Sequence, residues 1–276
     1  MCDICVMNKV KERMLSRRNF FKGGAAMAAG AAAAGGLVAP KQAFAQVPRT
    51  VMDMTHELSE EFPTFGGVSG ISYDKQFDFA ENGYNLYVLT VNEHTGTHID
   101  APLHFSADGQ SVAEIPVENL ACPLCVIDIR ARAAEDRDTQ VTPDDLTAWI
   151  ATHGDIPDGA CVAMNSGWAD KVGTEEFRGA DAARGGSLHF PGFHIEATQM
   201  LLEETNAACI AVDTLSLDHG PSADFATHYA WLPAGRYGIE CLAGLDNMPA
   251  AGGTLMVGAP KVRGGTGGPA RIMGLA

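Results

Sequence analysis

Positive charge is what this chain has least of. Its 276 residues hold 19 Lys and Arg against 34 Asp and Glu, a formal net charge of −15. Binding to a phosphate backbone or to an anionic membrane surface needs cationic patches, so neither nucleic acid nor membrane is expected as a partner. Long, strongly apolar runs are missing as well. The stretch from Gly23 to Ala39 is mostly Ala and Gly and falls short of the roughly 20 strongly apolar residues of a spanning helix. No Gly-x-Ser-x-Gly elbow is present, and Ser216, Asp218 and His219 crowd one loop too closely for a hydrolase triad. They read as loop capping or as support for other groups.

Cysteine is sparse and badly distributed for a disulfide scaffold. Cys2 and Cys5 lie near the start, followed by Cys122, Cys125, Cys161, Cys209 and Cys241. Five is odd, so at least one of these thiols stays free or pairs between chains. Cys122-Pro-Leu-Cys125 has redox spacing, but it runs into Val126-Ile-Asp-Ile129, a strand and not the helix start that lowers a thiol pKa. Thiol–disulfide chemistry is a minor alternative.

What is present begins with a leader. Ser16-Arg17-Arg18-Asn19-Phe20-Phe21-Lys22, the Ala/Gly run and Ala43-Phe44-Ala45 form a twin-arginine signal peptide over residues 1–45, which implies export to the periplasm. Residues 46–276 are then the mature domain. The leader takes seven of the bases and two of the acids, leaving 12 against 32, a formal −20.

Tyr84 to Asn92 is rich in β-formers and leads into His94; Cys125–Ile129, Ala160–Asn165, Ala207–Asp213, Leu255–Gly258 and Ala270–Met273 are further strands. Thr142-Pro143-Asp144-Asp145 opens a helix to about Thr152, and His194–Asn206 has helical spacing. Thr214 to Ala226 reads as a polar loop. The sum is an α/β fold with β-structure at its centre.

Chemistry concentrates in His94-Thr-Gly-Thr-His98-Ile-Asp100-Ala-Pro-Leu-His104-Phe105. His94, His98, Asp100 and His104 share parity, so in an extended segment all four project to one side. Imidazoles with a carboxylate and no thiolate suit catalytic Zn²⁺, Mn²⁺ or Fe²⁺. The best distant partners are His228 and Glu240. The latter sits in the apolar run Gly238-Ile-Glu-Cys-Leu, where an unpaired carboxylate is costly.

This segment closely resembles the signature of the cyclase family, which includes bacterial kynurenine formamidase and isatin hydrolase. The resemblance extends to Asp213-Thr-Leu-Ser-Leu-Asp218 and to His228 twelve positions before Glu240, and covers most of Thr50 to Ile272. It implies a barrel-like mixed sheet with a few flanking helices. It implies His94, His98 and Asp100 as ligands of one divalent ion, Zn or Mn, and Asp100, His228 and Glu240 as ligands of a second. His104 matches the general acid/base, and Phe65 stands near the place of an aromatic that packs on the substrate ring. Here Phe65-Gly-Gly replaces the family's usual Trp-Pro-Gly.

The implied activity is hydrolysis, by water activated on the metal, of an aryl formamide such as N-formylkynurenine. An isatin-hydrolase-like attack on another lactam or lactone is the alternative. The substrate would be a small aromatic molecule and the assembly a homodimer or tetramer. A periplasmic metal- or ligand-binding protein without turnover is the reading from another class.

Overall fold

The computed structural model describes residues 50–180 and 186–276; residues 1–45, expected from the sequence to be a twin-arginine leader, lie outside the described residues. Thirteen strands are described: β1 (Val51–Asp53), β2 (Ile71–Phe77), β3 (Leu86–Val91), β4 (His98–Asp100), β5 (Ala121–Asp128), β6 (Gln140–Val141), β7 (Cys161–Asn165), β8 (Gly192–Phe193), β9 (Cys209–Val212), β10 (Tyr237–Glu240), β11 (Gly253–Gly258), β12 (Gly267–Pro269) and β13 (Arg271–Leu275). Nine form one mixed sheet in the order β1-β13-β11-β5-β7-β9-β10-β4-β12. Its middle four, β5, β7, β9 and β10, run parallel, and the flanking pairs are antiparallel. Thr55 bridges Leu242, and the Met54 carbonyl accepts from the Ala243 N–H at 3.1 Å, so the sheet curls toward closure.

The curl separates two cores by strand parity. On the inner side Cys122, Leu124 and Val126 pack with Ile99, Tyr237, Ile239 and Leu255. On the outer side Cys125 and Ile127 pack with Leu146, Trp149, Leu201 and Trp231. The outer core is capped by α3 (Pro143–His153), α4 (Ile195–Glu204) and α5 (Ala226–Trp231); α1 (Phe79–Asn82) and α2 (Arg130–Glu135) are shorter. Parity also settles the Cys122/Cys125 pair. The two thiols lie in different cores, and all five described cysteines are free and buried.

Helix starts follow local chemistry. The Asp145 carboxylate accepts from the Thr142 N–H at 2.8 Å and from its hydroxyl at 2.9 Å, with Pro143 in the first turn. His194 Nδ1 accepts from the Glu196 N–H at 3.2 Å and caps α4. Thr214 to Asp218, read as the start of a polar loop, is buried along its length. No described helix is long and apolar enough to cross a membrane.

Candidate metal centre

The site lies where β4 is clasped between β10 and β12. Antiparallel register places Glu240 opposite His98 and Gly238 opposite Asp100, while Gly267 faces Asp100 from the other side. His98 and Asp100, two apart in one strand, share a face. His94 and His104 arrive differently from the extended segment read in the sequence. The backbone turns at Gly96, with φ +63°, and Pro102–Phe105 is a 3₁₀ turn. Parity therefore explains two of the four residues, and turns deliver the other two. A side chain at Gly267 would strike the Ile99 carbonyl at 2.3 Å and the His94 ring at 2.8 Å, so glycine there lets the imidazole in.

Each ring is held by one nitrogen so that the other faces inward. His98 donates from Nδ1 to the Gly96 carbonyl at 2.9 Å. Its Nε2 lies 3.4 Å from both Asp100 and Glu240 and has no hydrogen-bond partner. His228, on α5, donates from Nδ1 to Asp218 at 2.6 Å. Its Nε2 is then 3.2 Å from Glu240 and 3.7 Å from Asp100. The Thr266 hydroxyl gives its proton to Glu93 and so accepts from His94 Nε2 at 2.9 Å. His94 Nδ1 then faces Asp100 Oδ1, 2.8 Å away.

This arrangement fits a divalent cation. The short separation of His94 Nδ1 and Asp100 Oδ1 is one that a proton or a bound cation can bridge. Asp100 Oδ2 is buried without a hydrogen-bond partner, as is His98 Nε2. Asp100 is fully buried and Glu240 is 6% exposed. Two buried carboxylates among imidazoles, with no thiolate, make a catalytic rather than a structural donor set. One ligand atom from each of His98, Asp100 and Glu240 lies within 4.8 Å of the others, and the same holds for His94, Asp100 and His104. Asp100 belongs to both groups, so two ions would share it.

Electrostatics reflect the crowding. Burial would raise the Asp100 carboxyl, but the imidazoles of His228, His94 and His98 gathered around it outweigh burial and hold the group well below its usual range. Burial and the neighbouring Asp100 push Glu240 up. Burial, with repulsion from the other imidazoles against the pull of Asp100, drives His104 down to about 4, so its ring is neutral near pH 7. The His104 ring stacks on His94 with centroids 3.8 Å apart and an interplanar angle of 20°.

Above these donors opens a cavity of about 350 Å³. Phe65, taken from the sequence as a substrate contact, stands at its mouth, 41% exposed. Phe105 and Phe225 were not singled out in the sequence, and both line the same cavity. Ring centroids separate Phe65 from Phe225 by 5.9 Å and Phe105 from Phe225 by 5.8 Å. Phe225 has φ +51°, a left-handed conformation that bulky residues rarely adopt. His189 and His194 lie elsewhere: His189 contacts Asp138 at 2.7 Å, and His194 caps its helix. Thr266 was also missed; its only sequence signal is the glycine density around it.

With this geometry in place, known proteins can be compared. Isatin hydrolase of Roseibium aggregatum is 32% identical over 197 residues, covering 68% of this chain and 73% of that protein. Kynurenine formamidase of Salinibacter ruber is 27% identical, covering 70% and 81%. The solved structure of isatin hydrolase A from Labrenzia aggregata, bound to benzyl benzoate, superposes with a TM-score of 0.76 at 33% identity, covering 82% of this chain and 93% of that one. The Cyclase family model matches residues 52–219, and the chain belongs to that family.

Proposed function

We propose that this protein hydrolyses the carbon–nitrogen bond of a small aryl amide or lactam. The observation that carries the reading is the pairing of a buried cation site with an aromatic-walled cavity directly above it. His94, His98, Asp100, His228 and Glu240 would hold Zn²⁺ or Mn²⁺, as one ion or two sharing Asp100. Such an ion supplies Lewis acidity and brings the pKa of a coordinated water toward neutrality.

The chain's own residues supply the rest. Asp218, Gly96 and Thr266 fix the ring orientations of His228, His98 and His94, so donor atoms are set before anything binds. His104, half-buried at the cavity edge with a neutral ring, takes a proton from the attacking water and returns it to the leaving nitrogen. Phe65, Phe105 and Phe225 offer ring faces and edges to a flat substrate while keeping bulk water from it. Similarity to proteins named isatin hydrolase and kynurenine formamidase supports a small aromatic substrate. The twin-arginine leader adds the proposal that the reaction takes place in the periplasm, which cell fractionation checks.

The decisive experiment measures metal content of the purified protein alongside hydrolysis of isatin and N-formylkynurenine, before and after chelation. Turnover of either substrate that disappears with the metal supports the reading. A fully loaded protein inert toward both substrates and a wider aryl-amide panel would overturn it. A protein that binds metal and an aromatic ligand without turnover leaves His104 no role, and its substitution would then change nothing.

A further inference from the structure

Phe65 is carried by a turn with little to hold it. Residues 65–69 are all exposed, and Gly66-Gly67 gives the turn wide conformational freedom. Most of its hydrogen bonds among the described residues are local. The Gly67 N–H donates to the Thr64 carbonyl at 3.1 Å, and the Thr64 hydroxyl to the Val68 carbonyl at 2.6 Å. One bond comes from far along the chain: Arg178 donates from Nη2 to the Phe65 carbonyl at 3.1 Å. The guanidinium also lies against Gly67, where a Cβ would meet Nη1 and Nη2 at 2.9 Å and Cζ at 3.0 Å. Gly67 has φ +70°, so glycine serves both the turn and this close approach. Arg178 is itself well anchored. Phe177 before it is fully buried, its carbonyl accepts from the Trp168 indole at 2.8 Å, and its ring stands edge-on to Phe62. The Arg178 carbonyl accepts from the His189 N–H at 3.4 Å, and its Nε is buried.

We propose that Arg178 is a positioning residue for substrate binding: it braces the Phe65-Gly66-Gly67 turn and so sets the Phe65 ring at the cavity mouth. Arg178 is not among the described residues that line the cavity, so it acts through Phe65 and not by contact with substrate. The ring it places stands 5.9 Å from Phe225 and 6.5 Å from Phe190, centroid to centroid. Those separations are the range in which aromatic edges and faces attract, and a shifted turn would forfeit them. A planar fork suits the task, because one edge donates to a carbonyl while its face covers Gly67. A lysine ammonium has no such face. The effect on substrate rests on the hydrolase reading; the brace itself does not.

Hydrogen exchange and steady-state kinetics test the proposal on the full chain. In Arg178→Met the peptide over residues 62–70 is expected to exchange at least about tenfold faster, while residues 94–105 keep wild-type rates. On isatin or N-formylkynurenine, whichever the wild type hydrolyses, KM rises about tenfold and kcat stays within about twofold. Phe65→Ala raises KM equally, and the double variant raises it no further, because one residue acts through the other. Arg178→Lys keeps the stem and the charge yet gives the same two changes, and it carries both readouts if Arg178→Met fails to fold. Melting curves and metal content verify that each variant is folded and loaded. Unchanged exchange over residues 62–70 overturns the brace, whether or not a substrate is found. Faster exchange with unchanged KM, additive effects in the double variant, or a fall in kcat that matches the rise in KM overturns the role in substrate binding. A wild type inert toward both substrates counts against the hydrolase reading and leaves exchange to judge the brace.

Discussion

His104 touches the site through a stacked ring, while the donors around Asp100 form the cation cage. Substituting His104 with Asn keeps the ring's neighbours in place but removes the proton carrier. Turnover is expected to fall by about 10²–10⁴ with metal content unchanged, read by steady-state kinetics beside elemental analysis. Loss of metal in that variant would move His104 into the ligand set. Asp218 acts one step further out. It accepts from His228 Nδ1 and from the backbone N–H groups of Thr227 and His228, so it fixes both the ring and the start of α5. Asp218→Asn is predicted to weaken metal binding by about 10–100-fold while leaving His104 chemistry intact at saturating metal. A competitive chelator titration separates the two effects.

Elements decide which residues meet. The segment from His94 to His104 was legible in sequence because its chemistry is local, eleven residues holding three imidazoles and a carboxylate. His228 and Glu240 were legible through the resemblance and through the apolar context of Glu240. The path of the chain between these ligands was not: Gly96 and the 3₁₀ turn at Pro102 do what an unbroken strand was expected to do. Thr266 had only the glycines around it as a local signal, and Phe225 had none. One reaches the site by edge pairing of β12 with β4, the other by a strained turn into α5, and both are tertiary facts.

The α3 start was read correctly from Thr142, Pro143 and the acids that follow, and it carries a pH prediction. Burial pushes the Asp145 carboxyl up, but hydrogen bonds from Arg132 and Thr142 outweigh it and leave the group below its ordinary value. A depressed carboxyl stabilises the fold above the unfolded-state pKa and loses that contribution as pH falls through its own folded value. Asp145→Asn should therefore lower Tm by about 2–4 °C at pH 7, the effect of losing about 1 kcal/mol in a chain of this size. Wild type and variant should converge in acid, once the pH has fallen through that folded value. Parallel melting curves at pH 7 and in acid check this; an equal gap at both would discard the cap.

For the whole molecule, the cage ties distant parts of the chain together. His94 to Asp100, His228 and Glu240 come from β4 and its approach, α5 and β10, so an ion held among them binds the folded state and not the unfolded one. At about 1,000 times its dissociation constant it adds about 4 kcal/mol of stability. Chelation is expected to lower Tm by about 8–16 °C, and readdition of Zn²⁺ or Mn²⁺ to restore it. A melting temperature indifferent to chelator would mean that the carboxylates are balanced by protons alone.

The thiols carry a consequence of their own. Cys122 and Cys125 are pushed up to about 12 by burial, and burial raises Cys161, Cys209 and Cys241 as well. Sealed on either side of the sheet, none offers the sulfur anion that an oxidant or an exchange partner attacks. Once folded, the described domain is then indifferent to redox surroundings: it can pass from reductants to oxidants with no bond made or broken at these five sulfurs.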